Sequence, residues 1–347
     1  MTKRITQMAG VAALSLVAAT SSFADIKIND NISLGGYVVG LVDSKSVDES
    51  ETTSSMDLQA TKLLTKVNFA PVSGVVSLYS GADNAVSVLD AYFTYDYGAG
   101  TSLTAGKFLS WLGYEAFDAT NMMTLSYAWT ADAIGPLPGI PGYHSGVKVE
   151  FGSESYAAGF AVLDSNDSNF FTDVKKGDGD LDNGAGLEGY YTYKGKELTV
   201  FVGAAYNSAE ADGSSYYADP AFYGFKSYSG DIWVQYVTGS VTLAAEFSLY
   251  KASFDLTGAD DLKTYFAGIW AKYAASEKIS YVGRIALGET NNFGATDKPK
   301  YMKYTFSPIY VVTANLEIAG EVSYTTYDKL DPVDSSTYFG VQARFKF

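Results

Sequence analysis

The side chains able to do covalent or metal chemistry are few. Cysteine is absent and His144 is the single histidine. That excludes thiolate zinc sites, iron–sulfur ligation, a cysteine nucleophile, a disulfide framework and any centre built on two imidazoles. His144 and Ser145 are adjacent, as a base and a nucleophile could be. In an extended segment, though, neighbours point to opposite faces, so this pair cannot pass a proton. Asp178, Asp180 and Asp182 alternate as calcium ligands do, but the terminal Glu of the twelve-residue loop is missing, and a solvated acidic loop is the better reading. No phosphate-cradling glycine motif or cofactor fingerprint is present. The expectation is no enzyme, no metal and no cofactor.

The remaining chemistry is charge, and its spacing points to the elements that carry it. At the C-terminus Phe339, Val341, Ala343, Phe345 and Phe347 fall on one face, with Tyr338, Gly340, Gln342, Arg344 and Lys346 on the other. A period of two with aromatics on one side and charges on the other marks a strand between two environments. Ile279 to Leu287 repeats the pattern, with Arg284 opposite Ile279, Tyr281, Ile285 and Leu287, and so does Leu316 to Tyr324. Composition agrees: Tyr 28, Phe 20 and Gly 34 in 347 residues suit pleated sheets and tight turns. A net charge of −15 repels phosphate backbones, so nucleic acid is excluded as a partner.

Lys3 and Arg4 precede an apolar stretch from Met8 to Ala19, and Ser22-Phe23-Ala24 resembles a cleavage site. Residues 1–24 are expected to be a removed signal peptide and 25–347 the folded unit. No later stretch is apolar for long enough to form a transmembrane helix, which leaves strands as the way into a bilayer. Sixteen candidate strands follow between residues 32 and 347. Short connections such as Gly98-Ala99-Gly100, Gly195-Lys196 and Thr238-Gly239 alternate with longer polar ones. That asymmetry belongs to transmembrane antiparallel β-barrels, which have short turns on the periplasmic side and long loops outside.

The longest connection, Ser110 to Gly142, is the third outer loop. Its Trp111, Leu112, Phe117, Met122, Leu125 and Trp129 need a surface to pack on, and the barrel lumen supplies one. A loop folded inward would narrow the pore and place Glu115 and Asp118 at the constriction; a cap over the outer rim is the alternative. Alternation assigns the basic residues Lys62, Lys66, Lys107, Lys148, Arg284, Lys303 and Arg344 to the pore lining. Asp90, Glu150, Glu317, Glu321 and His144 share that face. In 101–109 strict alternation sets Lys107 on the same face as Leu103, so a bulge or a different register is expected there. Phe347 is expected to act as an assembly signal.

Leu89-Asp90-Ala91-Tyr92-Phe93-Thr94-Tyr95, the Gly98-Ala99-Gly100 turn, Leu103 to Leu109 and Leu112-Gly113-Tyr114-Glu115 resemble the pattern of the OmpL-like β-barrel porins. Tyr143-His144-Ser145-Gly146-Val147 is similar to the stretch where the barrel resumes in that family. The resemblance implies a channel in the cell outer membrane of a Gram-negative bacterium, passing small hydrophilic solutes or ions by diffusion. Expected partners are outer-membrane lipid, lipopolysaccharide and the outer-membrane assembly machinery, and a homotrimer fits a channel of this size. The alternatives are a non-conducting structural or adhesive barrel, and an outer-membrane hydrolase.

Overall fold

The computed structural model describes residues 25–81, 85–115, 119–137, 139, 141–164, 184–209, 225–254, 261–291 and 298–347. The expected signal peptide and Asp118 lie outside them. Sixteen strands follow one another in chain order: β1 (Ile32–Val47), β2 (Thr53–Phe69), β3 (Val72–Gly81), β4 (Val86–Gly98), β5 (Thr101–Leu109), β6 (Tyr143–Gly152), β7 (Tyr156–Leu163), β8 (Gly184–Lys194), β9 (Leu198–Ala209), β10 (Phe225–Thr238), β11 (Val241–Phe254), β12 (Leu262–Ala274), β13 (Ile279–Thr290), β14 (Lys300–Val311), β15 (Leu316–Asp328) and β16 (Ser335–Lys346). Each pairs antiparallel with the next, and β16 pairs with β1, so the sheet closes and no long edge is left open.

The barrel is inverted relative to a water-soluble sandwich. On β14, Lys303, Thr305 and Ser307 are buried inside, whereas Tyr304, Phe306 and Tyr310 face outward and are exposed. A strand with a polar inner face and an apolar outer face is stable only if lipid covers the outside. Short turns gather at one end of the barrel, from Phe69–Val72 round to Val311–Leu316, and the longer connections at the other.

Departures from regular pairing cluster on one side. The register shifts where Val39 and Gly40 oppose Ala60 and Leu58, where Val76 and Leu78 oppose Ala91 and Val88, and where Asp96 and Gly98 oppose Ser102 and Thr101. Each inserts one extra residue into a strand and bends it. All three lie in β1–β5. The bulge expected near Lys107 is on the neighbouring strand β4 instead, so β5 keeps its alternation. Lys107 therefore stays in the outward register, and its Nζ donates to the Val88 carbonyl at 2.8 Å. Gly106 beside it has φ +128°, and a Cβ there would come within 2.2 Å of the Ala91 carbonyl oxygen.

Where a sandwich would have its core, this barrel has the third outer loop. Ala128, Trp129, Ala131 and Leu137 pack with Ala244, Phe266, Trp270, Ala286 and Tyr301 from the inner faces of β11 to β14. β5, which leads into the loop, and β7 are the shortest strands of the barrel.

Candidate functional site

The outgoing arm of the loop is held by carboxylates that accept its backbone N–H groups. Trp111 N donates to Glu188 Oε1 at 2.6 Å, Gly113 N to Asp231 Oδ2 at 3.0 Å and Tyr114 N to Glu246 Oε1 at 2.7 Å. These acceptors stand on β8, β10 and β11, so three strands of one side of the wall receive one short run of chain. The next residue, Glu115, reverses the polarity. Its carboxylate lies 2.9 Å from Arg284 Nη1 and accepts from Trp270 Nε1 at 2.9 Å and from Ala128 N at 2.5 Å. Burial, with Glu115 and Glu246 nearby, pushes the Tyr114 phenol well above its ordinary range, so it stays protonated and donates to Gln235 Oε1 at 3.1 Å.

The returning arm is held mostly by donors that reach its carbonyls. Arg344 donates to Met122 O and Thr124 O at 3.1 and 3.2 Å, Arg284 to Ser126 O at 2.6 Å, Tyr301 to Ala128 O at 2.8 Å and Lys303 to Thr130 O at 3.2 Å. Glu321 sits among these cations and accepts from Leu125 N at 2.5 Å and Ser126 N at 3.0 Å. Hydrogen bonds to ionised groups contribute about 1.5–3 kcal/mol each, roughly twice a neutral bond. An irregular segment buried in a barrel needs such partners, because its N–H and C=O groups have no ladder.

Shape supports the same seat. The space above four inward glycines is filled by side chains that include one from the loop each time: Trp111 over Gly159, Leu112 over Gly203, Leu137 over Gly288 and Leu125 over Gly340. An aromatic row continues the contact, from Trp111 to Tyr190, Phe201, Trp233, Tyr114 and Trp270, with successive centroids 4.6–5.9 Å apart.

The wall formed by β2, β4 and β6 is different. Lys62 Nζ lies 2.9 Å from Asp90 Oδ2, and Lys148 Nζ 3.3 Å from Glu150 Oε2. Lys148 also stands over the Phe108 and Trp111 rings at 4.8 and 5.0 Å. Lys66 pairs with Asp25 at 2.7 Å near the short-turn end. These charges pair with one another along the wall and keep contact with water.

The residues expected from the sequence thus separate into groups. Arg284, Lys303, Glu321 and Arg344 face inward and are buried under the loop, and Glu317 pairs with Arg344 at 3.1 Å. Lys62, Lys66, Asp90, Lys148 and Glu150 face the remaining space, whereas Lys107 faces outward. Glu115 is inside the barrel, but its carboxylate is enclosed by Arg284 and Trp270 rather than presented to water. His144 is buried edge-on against Phe108 with centroids 5.1 Å apart, and its Nε2 is 3.9 Å from Glu188 Oε2. Phe347 exchanges both backbone hydrogen bonds with Gly36 and sets its ring 5.9 Å from Phe345 on the outer face. The sequence reading does not single out the inward glycines, although a glycine in register with the polar face of a strand is a readable sign that something packs closely there.

Residues 46–347 match the family model "Putative beta-barrel porin-2, OmpL-like". The chain belongs to this family. Among curated proteins no sequence matches. Solved structures carry the same fold at low identity. The outer-membrane channel DcaP of Acinetobacter baumannii is 12% identical with a TM-score of 0.66, covering 94% of this chain and 100% of its own. An anion-selective porin from Comamonas acidovorans is 14% identical with a TM-score of 0.64, covering 91% and 99%. OmpT of Vibrio cholerae in its trimer form is 12% identical with a TM-score of 0.63, covering 92% and 100%. Membership of this porin family and the apolar outer face locate the protein in the outer membrane.

Proposed function

We infer that this porin-family barrel conducts small hydrophilic solutes and ions by passive diffusion, without catalysis. The observation that carries the reading is the third outer loop, held to one side of the lumen by polar and charged wall residues while a water-contacting strip remains on β2, β4 and β6. The strip's charges are paired, Lys62 with Asp90 and Lys148 with Glu150, so its field is nearly balanced. Weak discrimination between cations and anions follows. Export with loss of residues 1–24 and assembly as a homotrimer belong to the same proposal, the latter in line with the trimer form of Vibrio cholerae OmpT. Planar-bilayer recording of purified protein tests it. Discrete ohmic steps with a reversal potential near zero in a salt gradient are expected, and a folded protein that produces no steps would reject the channel in favour of a non-conducting barrel.

A further inference from the structure

The strip of lumen that the loop leaves open carries charges of alternating sign, fixed in place by neutral neighbours. Round the wall they run Lys62 on β2, Asp90 on β4, then Lys148 and Glu150 on β6. Asp90 lies 2.9 Å from Lys62 Nζ and accepts from Ser77 Oγ at 2.6 Å, both through Oδ2. Its other oxygen, Oδ1, accepts no hydrogen bond among the described residues, and the side chain keeps 13% of its free exposure. Glu150 is held from three sides. Lys148 Nζ lies 3.3 Å from its Oε2, and Trp111 Nε1 and Tyr190 Oη donate to its Oε1 at 3.2 and 3.1 Å. Glu150 is the one carboxylate within ion-pair distance of Lys148 among the described residues; otherwise this ammonium stands over the Phe108 and Trp111 rings. A ring face attracts a cation but leaves its N–H groups able to donate elsewhere.

Register brings Asp90 and Lys148 towards each other. Asp90 is the residue above Ala91, which pairs with Lys107, so it stands level with Phe108 on the next strand. Lys148 starts lower, opposite Thr104, but its ammonium reaches up to 4.8 Å from the centre of the Phe108 ring. One strand spacing added to that contact sets the carboxylate and the ammonium on the order of 10 Å apart. Tyr92, on the same inward face as Asp90, lies within electrostatic reach of Lys62, Asp90 and Glu150.

A carboxylate with a spare oxygen and an ammonium with spare hydrogens are together complementary to a solute that carries both charges itself. The two charges of a short amino acid lie ~3–5 Å apart, and a hydrogen bond at each end brings the span to about 10 Å. A single ion meets an attractive group on one side and a repulsive one on the other, so it gains little. An uncharged solute makes neither charge-to-charge contact. Because the row is balanced, its preference acts only on contact, which is weak enough to let the solute leave.

We propose that Asp90 and Lys148, with Tyr92 beside them, form a contact site in the lumen for short zwitterionic amino acids, the ammonium of the solute on Asp90 and its carboxylate on Lys148. This inference rests on the channel reading and narrows its solute class. Two isomers test it: β-alanine, a zwitterion at neutral pH, and lactamide, which is uncharged. Release of each labelled solute at low concentration from proteoliposomes holding the purified folded barrel gives a ratio in which pore size cancels. Wild type should release β-alanine about threefold faster than lactamide, the scale of one partly exposed ion pair. Asp90→Asn together with Lys148→Gln keeps the net charge and should bring the two rates together. Lys27→Gln with Asp30→Asn, an exposed pair near the short-turn end, should preserve the wild-type ratio. Equal rates for the two isomers in wild type would overturn the zwitterion site and leave the channel standing. A folded Asp90→Asn, Lys148→Gln variant that keeps the preference would overturn the assignment to these residues. Release of neither solute, with no current steps, would reject the channel and this inference with it.

Discussion

Two halves of the inner wall use the same residue types to opposite ends. Under the loop, the side chains of Arg284, Arg344 and Glu321 keep 0–1% of their free exposure. On β2 and β6, Lys62, Lys148 and Glu150 keep 12–21%. The first set is consumed by the backbone of residues 111–130, and the second pairs along the wall and faces water. A lumenal charge therefore says nothing about permeation until its partner is known. Even the strand irregularities respect the division, since the three register shifts fall in β1–β5 and none in the wall that carries the clamp.

The largest effect should come from breaking the buried half. Arg284→Met leaves Glu115 and Glu321 without their common cation. Removing one partner of a buried ion pair costs about 3–5 kcal/mol. The expected result is a barrel that still forms but whose loop is cut by protease under native conditions, with heat-dependent gel mobility lost at lower temperature than in wild type. Unchanged protease resistance would show that packing alone seats the loop.

Packing is tested next by two glycines at different places. A Cβ at inward Gly340 would lie 2.5 Å from the Tyr338 hydroxyl and 3.0 Å from Leu125 Cδ2, whereas nothing lies within 4 Å of one at outward Gly40. Gly340→Val should cost about 1–3 kcal/mol by overpacking. Gly40→Val should stay within about 0.5 kcal/mol. Chemical unfolding curves of the two variants distinguish them directly.

The water-facing half should respond in selectivity and hardly in stability. Lys62→Met with Lys148→Met should shift the reversal potential toward cations, because Asp90 and Glu150 lose their cationic partners and keep only neutral ones. Partly exposed pairs contribute no more than about 1 kcal/mol, so unfolding should barely move. A comparable shift from changing Arg344, already shielded by Met122 and Thr124, would contradict the division. The smallest effect on the finished barrel is expected from Phe347→Asp. A charge near the interface costs only about 0–1 kcal/mol, so the loss should appear as reduced outer-membrane levels in cells while the protein that does insert unfolds normally.

The strands were legible because a period of two is written strongly where lipid and water lie on opposite faces. Ile279 to Leu287 and Phe339 to Phe347 show it without interruption. The identity of the third outer loop was also legible, since an apolar stretch as long as Ser110 to Gly142 cannot lie in water. What alternation could not show is the partner of each charge. Arg284 and Lys62 look alike on a strand diagram, yet only Arg284 meets Glu115, which is 169 positions away. Lys107 was misplaced for a related reason: β5 keeps its register with β4 from Ala91–Lys107 to Asp96–Ser102, so Lys107 stays on the outward face with Leu103, and only the pairing shows this. At their outer ends β1 and β2 run up to Val47 and down to Thr53, where no apolar alternation marks them. The polar run of Ser, Lys and Thr there hides the extended backbone from a hydrophobicity pattern.

The central claim is that the third outer loop lies inside and sets the narrowest cross-section. Deleting Glu115 to Gly139 tests it most directly. A wall of sixteen strands alone encloses a wide aqueous channel. Planar-bilayer recording, with heat-dependent gel mobility to confirm folding, should give a unit conductance clearly above wild type. A folded deletion variant that conducts no more than wild type would contradict the account, because the loop could not then be what narrows the pore.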